Sequence, residues 1–334
     1  WPETASLPNF GLACPRTELD AALAAKARES GAVLHENVTV VGPILHERSG
    51  RVVGVEAKSA EREPLAFKAP VVVDAGGVSA RLATAVGREK AMNRPMGVAY
   101  RTYFRSPRSA DSVMESHLEL WNGKPGKSDL MPGYGWIFPL AGGIVNVGLG
   151  SLSSTAKATG LDYRAMFKAW MANAPSEWGF TEENQVGRLR GAALPMAFNR
   201  KPHYADGLLL VGDAGGMVSP FNGEGIAYAL QAGRLAADAV AQAHSRPTIT
   251  AKDRALAAYP AAMREELGGY YSLGRAFARL IERPKIMHLC VSRGLPRPTL
   301  MRLVMRLLSD CYDRRGGDWT DRLISALAKA APKA

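Results

Sequence analysis

The sequence has 334 residues, 47% of them apolar and 22% charged, with three cysteines and a formal charge of +11. That is chain enough for two domains, or one domain with a large insertion, and apolar content enough for a packed core. It excludes a disulfide framework, and no apolar run approaches the roughly eighteen residues of a membrane span.

There is no signal-peptide pattern, and the chain opens on Trp1 where a Met would start a nascent chain, which predicts a fragment or a processed protein. Cys14, Cys290 and Cys311 are far apart and form no CxxC pair, as in a reduced, cytoplasmic protein. Cys14 reads as a small buried apolar residue. The six histidines have no HExxH-type spacing, so no metal site is expected.

In chain order, the first element is a helix from Arg16, with Thr17 as its N-cap, a face of Leu19, Leu23 and Ala27, and Gly31 as its stop. Strand patterns follow at 38–41, at 52–55 across the turn Arg48-Ser49-Gly50, and at 65–73. The last runs into Asp74-Ala75-Gly76-Gly77. From about residue 91 short aromatic strands dominate (98–104, 117–121, 136–139, 144–149), which predicts an antiparallel sheet. A helix over 163–174, a strand over 186–194, a buried strand at 208–211 and a helix over 225–243 come next, and the remainder reads as mostly helical. The expected organisation is a nucleotide-binding unit in two pieces, 1–90 and 196–250, around a sheet domain at 91–195, with a helical region at 251–334.

The charge is uneven. Residues 271–334 carry thirteen Lys/Arg against five Asp/Glu. There Phe277, Leu280, Ile281, Met287, Leu303, Met305 and Leu307 alternate with Arg275, Arg279, Arg283, Arg302 and Arg306, a pattern that suits either a membrane surface or a helix pair turning its arginines to water. No nucleic-acid motif accompanies the charge, so nucleic acid is not an expected partner.

The chemistry is concentrated in LLLVGDAGGMVSPFNGEGIAYALQAG, residues 208–233. Ligands of open α/β sheets bind beyond the carboxyl ends of the strands, and Asp213 stands at such an end, able to accept hydrogen bonds from hydroxyls. Gly215 and Gly216 clear side chains from the loop, and Gly223 and Gly225 do so at the next helix start, whose N–H groups favour negative charge. Tight turns alone would also explain glycines here; Pro220, standing before the second glycine pair, favours a ligand.

This string resembles the second FAD-binding motif of the p-hydroxybenzoate hydroxylase-like flavoproteins, and CPRTELDAAL at 14–23 is similar to the helix start carrying their FAD-contacting arginine. The resemblance implies FAD as cofactor, with Arg16 on it, the backbone near Val40 at the adenine, Asp213 on the ribitol, and Pro220, Gly223, Gly225 and Ile226 by the flavin ring. It implies an α/β fold: an FAD-binding Rossmann-like domain of glutathione-reductase type, an inserted antiparallel β-sheet substrate domain and a helical C-terminus. Two departures stand out. The family's GxGxxG strand–helix start is absent, which predicts at least one missing βαβ unit, and its internal Ala-Asp-Gly turn reads Ala75-Gly76-Gly77.

A second motif narrows the class. Tyr134-Gly135-Trp136-Ile137-Phe138-Pro139, eight residues, then Gly148-Leu149-Gly150 resembles the YxWxFP…GxG pattern of the geranylgeranyl reductases, and the whole looks most like the actinobacterial menaquinone reductases. Alternation places Tyr134, Trp136 and Phe138 on one strand face, either as core or as a wall for a long apolar chain. The resemblance implies a flavoprotein oxidoreductase that saturates double bonds of a polyprenyl lipid or quinone. Tyr134, Trp136, Phe138, Pro139, Gly148 and Gly150 would line the substrate. The electron donor would be external, NAD(P)H or ferredoxin-like, and the location cytoplasmic, peripheral at the membrane. No catalytic acid is identified. An oxygen-using hydroxylase or halogenase on the same scaffold, and a non-catalytic piece, remain the alternatives.

Overall fold

The structure is a computed structural model that describes residue 4 and residues 7–152, 160–314 and 316–332; Trp1 lies outside the described residues. The protein has mixed α/β content and falls into two compact units, both discontinuous in sequence. The first gathers residues 1–34, 97–193 and 276–325, and the second 35–96, 194–275 and 326–334.

The first unit is built on a five-stranded sheet in the order Gln185–Pro195, Met96–Arg105, Ile144–Leu152, Tyr134–Leu140 and Glu115–His117. Ile144–Leu152 pairs antiparallel with both neighbours, Gly148 standing opposite Trp136 on one side and Arg101 on the other. Successive side chains on a strand point to opposite faces. One face carries Ile137, Val145, Val147 and Leu149, all buried, and receives Met166, Phe167 and Trp170 from the helix Tyr163–Met171. Asp162 caps that helix, accepting the N–H groups of Arg164 and Ala165 at 2.9 and 3.1 Å. The core of this unit is therefore the face opposite the aromatic file.

The second unit holds two three-stranded sheets. One is the meander Thr39–Leu45, Val52–Lys58 and Pro64–Lys68, antiparallel throughout. In the other, Leu208–Leu210 lies between Tyr204–Ala205 and Val72–Asp74, and its ladder with the latter is parallel. Leu208, Leu209 and Leu210 are wholly buried, as expected of a strand covered on both faces. The long helices Ile226–His244 and Ala258–Ile281 follow, the first burying an alanine stripe at Ala232, Ala236, Ala239 and Ala243.

Several local expectations change. The first helix spans Arg16–Glu29 with Pro15 at its N-cap and no side-chain cap bond, so Thr17 lies inside it. Proline serves there because its fixed φ and missing N–H suit a helix start. This helix buries none of its residues, Leu23 included. Cys14 is exposed rather than buried, its thiol donating to the Pro15 carbonyl oxygen at 3.6 Å. The 65–73 stretch is two strands in two sheets, Pro64–Lys68 and Val72–Asp74, because Pro70 interrupts the ladder between them. Arg306 does not face water: it is buried, bonded to Asp318 at 2.5 Å, to Asp321 at 2.9 Å and to Thr320. No helix among the described residues is long and apolar enough to cross a membrane.

Candidate functional site

The glycine string forms one continuous feature of the second unit. Leu208–Leu210 ends in the 3-10 turn Gly212–Gly215, and Gly216 closes it in the left-handed region at φ 68°. Three buried side chains hold the carbonyls along this turn. The Tyr259 hydroxyl donates to the Leu210 oxygen at 2.8 Å, the Tyr271 hydroxyl to the Met217 oxygen at 2.8 Å, and the His203 Nε2–H to the Gly215 oxygen at 3.1 Å. Burial holds the His203 imidazole down to about 4, so it is neutral and keeps the Nε2–H tautomer this bond needs. None of the three was legible as a site residue, because each lies outside the motif and acts on its backbone.

The glycines are needed for close approach. A Cβ at Gly216 would fall 2.4 Å from Asn199 Oδ1 and 2.6 Å from the Asn199 nitrogen, and one at Gly225 would fall 3.3 Å from Asp213 Oδ1. Asp213 is half-buried, and Gly225 precedes Ile226, the first residue of the helix Ile226–His244. The structure thus brings Asp213, Gly225 and Ile226 together. Gly223 has φ 74°, and its N–H donates to the Ser219 oxygen at 3.0 Å. Pro220 is buried, and a Cβ on Gly274 would fall 2.5 Å from its Cγ, so Pro220 packs inward.

One feature of the helix start was not expected. The Ala227 N–H donates to Glu224 Oε1 at 2.9 Å, so a carboxylate of the chain itself already caps this N-terminus. Burial pushes the Glu224 carboxyl above its ordinary range; the N–H groups of Ala227 and Ile226 act against that, and Asp213 reinforces it. Asp74 is a second carboxylate the motifs did not single out. It is buried at the end of Val72–Asp74 and accepts the Gly76 N–H at 2.8 Å and the Ala83 N–H at 3.0 Å, organising the turn whose acid had seemed lost to glycine. Val40 packs against the same core as Val52, Leu208 and Leu210.

The first unit holds the remaining residues. Arg16 makes a two-pronged bond to Asp20, at 2.9 and 3.0 Å. Tyr134, Trp136 and Phe138 form a file along Tyr134–Leu140 with ring centroids 6.0 and 6.3 Å apart, all half-buried on the face away from the core. Burial pushes the Tyr134 hydroxyl up to about 12. Trp136 lies across Gly148, where a Cβ would fall 2.2 Å from its Cζ2, and its Nε1–H donates to Asn146 Oδ1 at 3.3 Å. Gly150 stands opposite Tyr134, and Pro139 opposite Val145. Rings laid over a glycine floor give this face an apolar, backbone-shielding surface.

No protein-family model matches the chain. It is, however, 31% identical to the menaquinone reductase of Mycolicibacterium smegmatis over 323 residues, covering 97% of this chain and 75% of that protein. The chain belongs to the geranylgeranyl reductase family. A more distant relative, the digeranylgeranylglycerophospholipid reductase of Methanocella arvoryzae, is 30% identical over 268 residues, 78% of this chain and 62% of the relative. Among solved structures, a geranylgeranyl bacteriochlorophyll reductase-like protein from Thermoplasma acidophilum shares the fold with a TM-score of 0.64 at 20% identity, over 88% of this chain and 74% of that one. Both motifs of this geranylgeranyl reductase family member, the glycine string and the aromatic file, are thus present as ordered features, each within its own unit.

Proposed function

We propose that this chain is an FAD-dependent reductase that saturates double bonds of a polyprenyl chain, of menaquinone-tail or geranylgeranyl type. The observation that carries the reading is the aromatic file over Gly148, in a chain similar along nearly its whole length to a reductase of menaquinone. An isoprenoid presents only apolar surface and π-bonds, and a row of rings with few polar groups is the surface that takes it from water.

The fold of the second unit suits the dinucleotide half of an FAD-binding Rossmann-like domain, with the sheet unit as its substrate-binding insertion. Its residues fit FAD. The turn Gly212–Gly215 and Gly225 are positions where a Cβ would crowd the loop, and Asp213 offers a carboxylate to ribitol hydroxyls beyond the strand end. Bound there, FAD would supply the two-electron reduction. The chain's own part is to hold that loop rigid through Tyr259, Tyr271 and His203, to accept hydroxyls at Asp213, and to offer a helix start at Gly223, Gly225 and Ile226. Glu224, with its carboxyl raised by burial, sets the charge at that helix start. Arg16 and the strand at Val40 complete the proposed cofactor contacts; Pro139 and Gly150 flank the substrate file.

The electron donor is external, NAD(P)H or a ferredoxin-like protein. We place the enzyme at the cytoplasmic face of a membrane. Exposed Leu280, Leu289, Leu295 and Leu300, interspersed with the cationic Arg283, Lys285, Arg293 and Arg297, support contact with an anionic lipid surface. The test is to purify the protein, measure flavin absorbance, and incubate it anaerobically with reductant and prenylated quinones. Mass spectrometry is expected to find products heavier by one hydrogen pair. Absence of that gain on every prenyl substrate overturns the reading, and substrate-stimulated oxygen consumption would replace it with a hydroxylase.

A further inference from the structure

Glu224 stands between Gly223 and Gly225 at the start of the helix Ile226–His244, and its backbone is tied on both sides. Its carbonyl oxygen accepts the Ser219 N–H at 2.8 Å, and its own N–H donates to Asn222 Oδ1 at 2.9 Å. Its carboxylate turns over the helix end, where Oε1 accepts the Ala227 N–H at 2.9 Å. The side chain is half-buried. Ile226 and Ala227, the first helical residues beside it, are exposed, and Tyr228 one position further is buried. The helix end is thus an open face with a carboxylate fixed on it.

Charge at this end is one-sided. Burial is the main cause that raises the Glu224 carboxyl, and the neighbouring negative charge of Asp213 adds to it. Among the described residues Glu224 has no ion-pair partner. A helix start is worth roughly half a positive charge, whereas an ionised carboxylate carries a full negative one, so the sign at this end is negative. Reduction of a flavin by two electrons with uptake of one proton adds one negative charge to it, and charge beside the ring tunes how readily that happens. A bare helix start favours the reduced form. Here Glu224 already holds the Ala227 N–H, and its charge opposes the one that arrives.

We propose that Glu224 sets the redox poise of the cofactor: its carboxylate weakens the hold on two-electron-reduced FAD relative to oxidised FAD and makes the bound flavin a stronger reductant. The inference rests on FAD lying against Asp213 and this helix start, as in the reading above. Its consequence suits the proposed reaction. An isolated double bond of a polyprenyl chain has no carbonyl beside it to draw electrons away, so hydride transfer gains from a strongly reducing donor. The external electron donor must be correspondingly strong.

Glu224→Gln removes the charge and keeps an oxygen for the Ala227 N–H, so the helix cap survives. Glu224→Asp keeps the charge on a side chain one methylene shorter. The measurement is the midpoint potential of FAD bound to the full chain, read by dye equilibration in alkaline buffer, where the carboxyl is ionised. Glu224→Gln is expected to shift the affinity ratio toward reduced FAD on the order of tenfold, equivalent to about 30 mV for a two-electron couple, with Glu224→Asp staying nearer the parent. A capping role alone would move the melting temperature and leave that ratio unchanged. A potential in Glu224→Gln at or below the parent's, or an equal rise in both variants, overturns the role of Glu224 and leaves FAD as the cofactor. Loss of flavin from Glu224→Gln alone does the same, since removing a charge that opposes the cofactor should strengthen its binding. Absence of bound flavin from the parent protein overturns the proposal together with the FAD site on which it rests.

Discussion

Replacing Gly148 with alanine tests whether the aromatic file is held in place by the strand beneath it. A Cβ at this position would lie 2.2 Å from Cζ2 and 2.6 Å from Cε2 of Trp136, and 2.7 Å from the carbonyl oxygen of Tyr100. Comfortable carbon–carbon separations are about 3.5–4.0 Å, so the indole has to retreat by more than ~1 Å. The Tyr100 carbonyl belongs to a paired strand and cannot follow, so moving the ring relieves only part of the clash. Overpacking of this kind costs about 1–3 kcal/mol. At about 2–4 °C per kcal/mol for a body of this size, the melting temperature falls by roughly 2–12 °C. Gly233, exposed on the helix Ile226–His244, is the control: a Cβ there meets nothing within 4 Å, and Gly233→Ala is expected to stabilise by about 0.5–1 kcal/mol. Thermal melts read the stability, and kinetics on a prenylated quinone read the file, with a rise in KM expected for Gly148→Ala. Adding Trp136→Phe should restore part of the lost stability. A Gly148→Ala protein that melts with the parent and keeps its KM refutes the reasoning.

Asp213→Ala should strip flavin from the purified protein, read as absorbance per mole after gel filtration; stoichiometric retention would remove Asp213 from the cofactor site. The His203 imidazole titrates near 4 in the fold and near 6.5 when unfolded, so the unfolded chain binds the extra proton between those values. Stability is therefore fully present above about 6.5 and is lost as pH falls toward about 4, by roughly 2–3 kcal/mol. Denaturant titrations should show this slope flattened in His203→Gln, and equal slopes would contradict it. Asp74→Ala leaves the Gly76 and Ala83 N–H groups unbonded, at a cost of about 1–3 kcal/mol and with faster hydrogen exchange at both amides. Arg306→Met strands the buried Asp321 and should destabilise by about 3–5 kcal/mol, with Asp321→Leu in the same chain restoring most of it.

Where hydrophobic periodicity was strong, the sequence was easy to read. The 144–149 and 208–211 strands and the 225–243 helix appear within a few residues of expectation, because alternation and the 3.6-residue period are properties of each segment alone. Alternation also placed Tyr134, Trp136 and Phe138 on one face, but it left open whether that face was core. Only the helix Tyr163–Met171, packing on the other side, decides it. What stayed hidden depends on distant partners. Asp74 looked like an ordinary strand end until Ala83 came back to bond it, nine residues on. Tyr259 and Tyr271 lie 49 and 54 residues from the carbonyls they hold. Arg306 matched an amphipathic pattern of exposed cations, and its burial follows from acids that arrive twelve and fifteen residues later. Glu224 was not singled out in the sequence, although its bond to the Ala227 N–H is a local capping interaction between residues three apart.

The parallel ladder of Val72–Asp74 with Leu208–Leu210 has a consequence for synthesis on the ribosome. Its two strands belong to segments separated by residues 97–193, about a hundred residues that build the other unit. At ordinary translation speeds the ribosome needs roughly 5–20 s to make them. For that interval Val52, Leu82 and the Val72–Asp74 edge emerge without Leu208 and Leu210, the side chains that bury them in the finished protein. The nascent chain therefore carries a sticky half-core while its neighbour folds. Growth temperature, codon usage across 97–193 and holding chaperones should set the yield of this protein more than its final stability does.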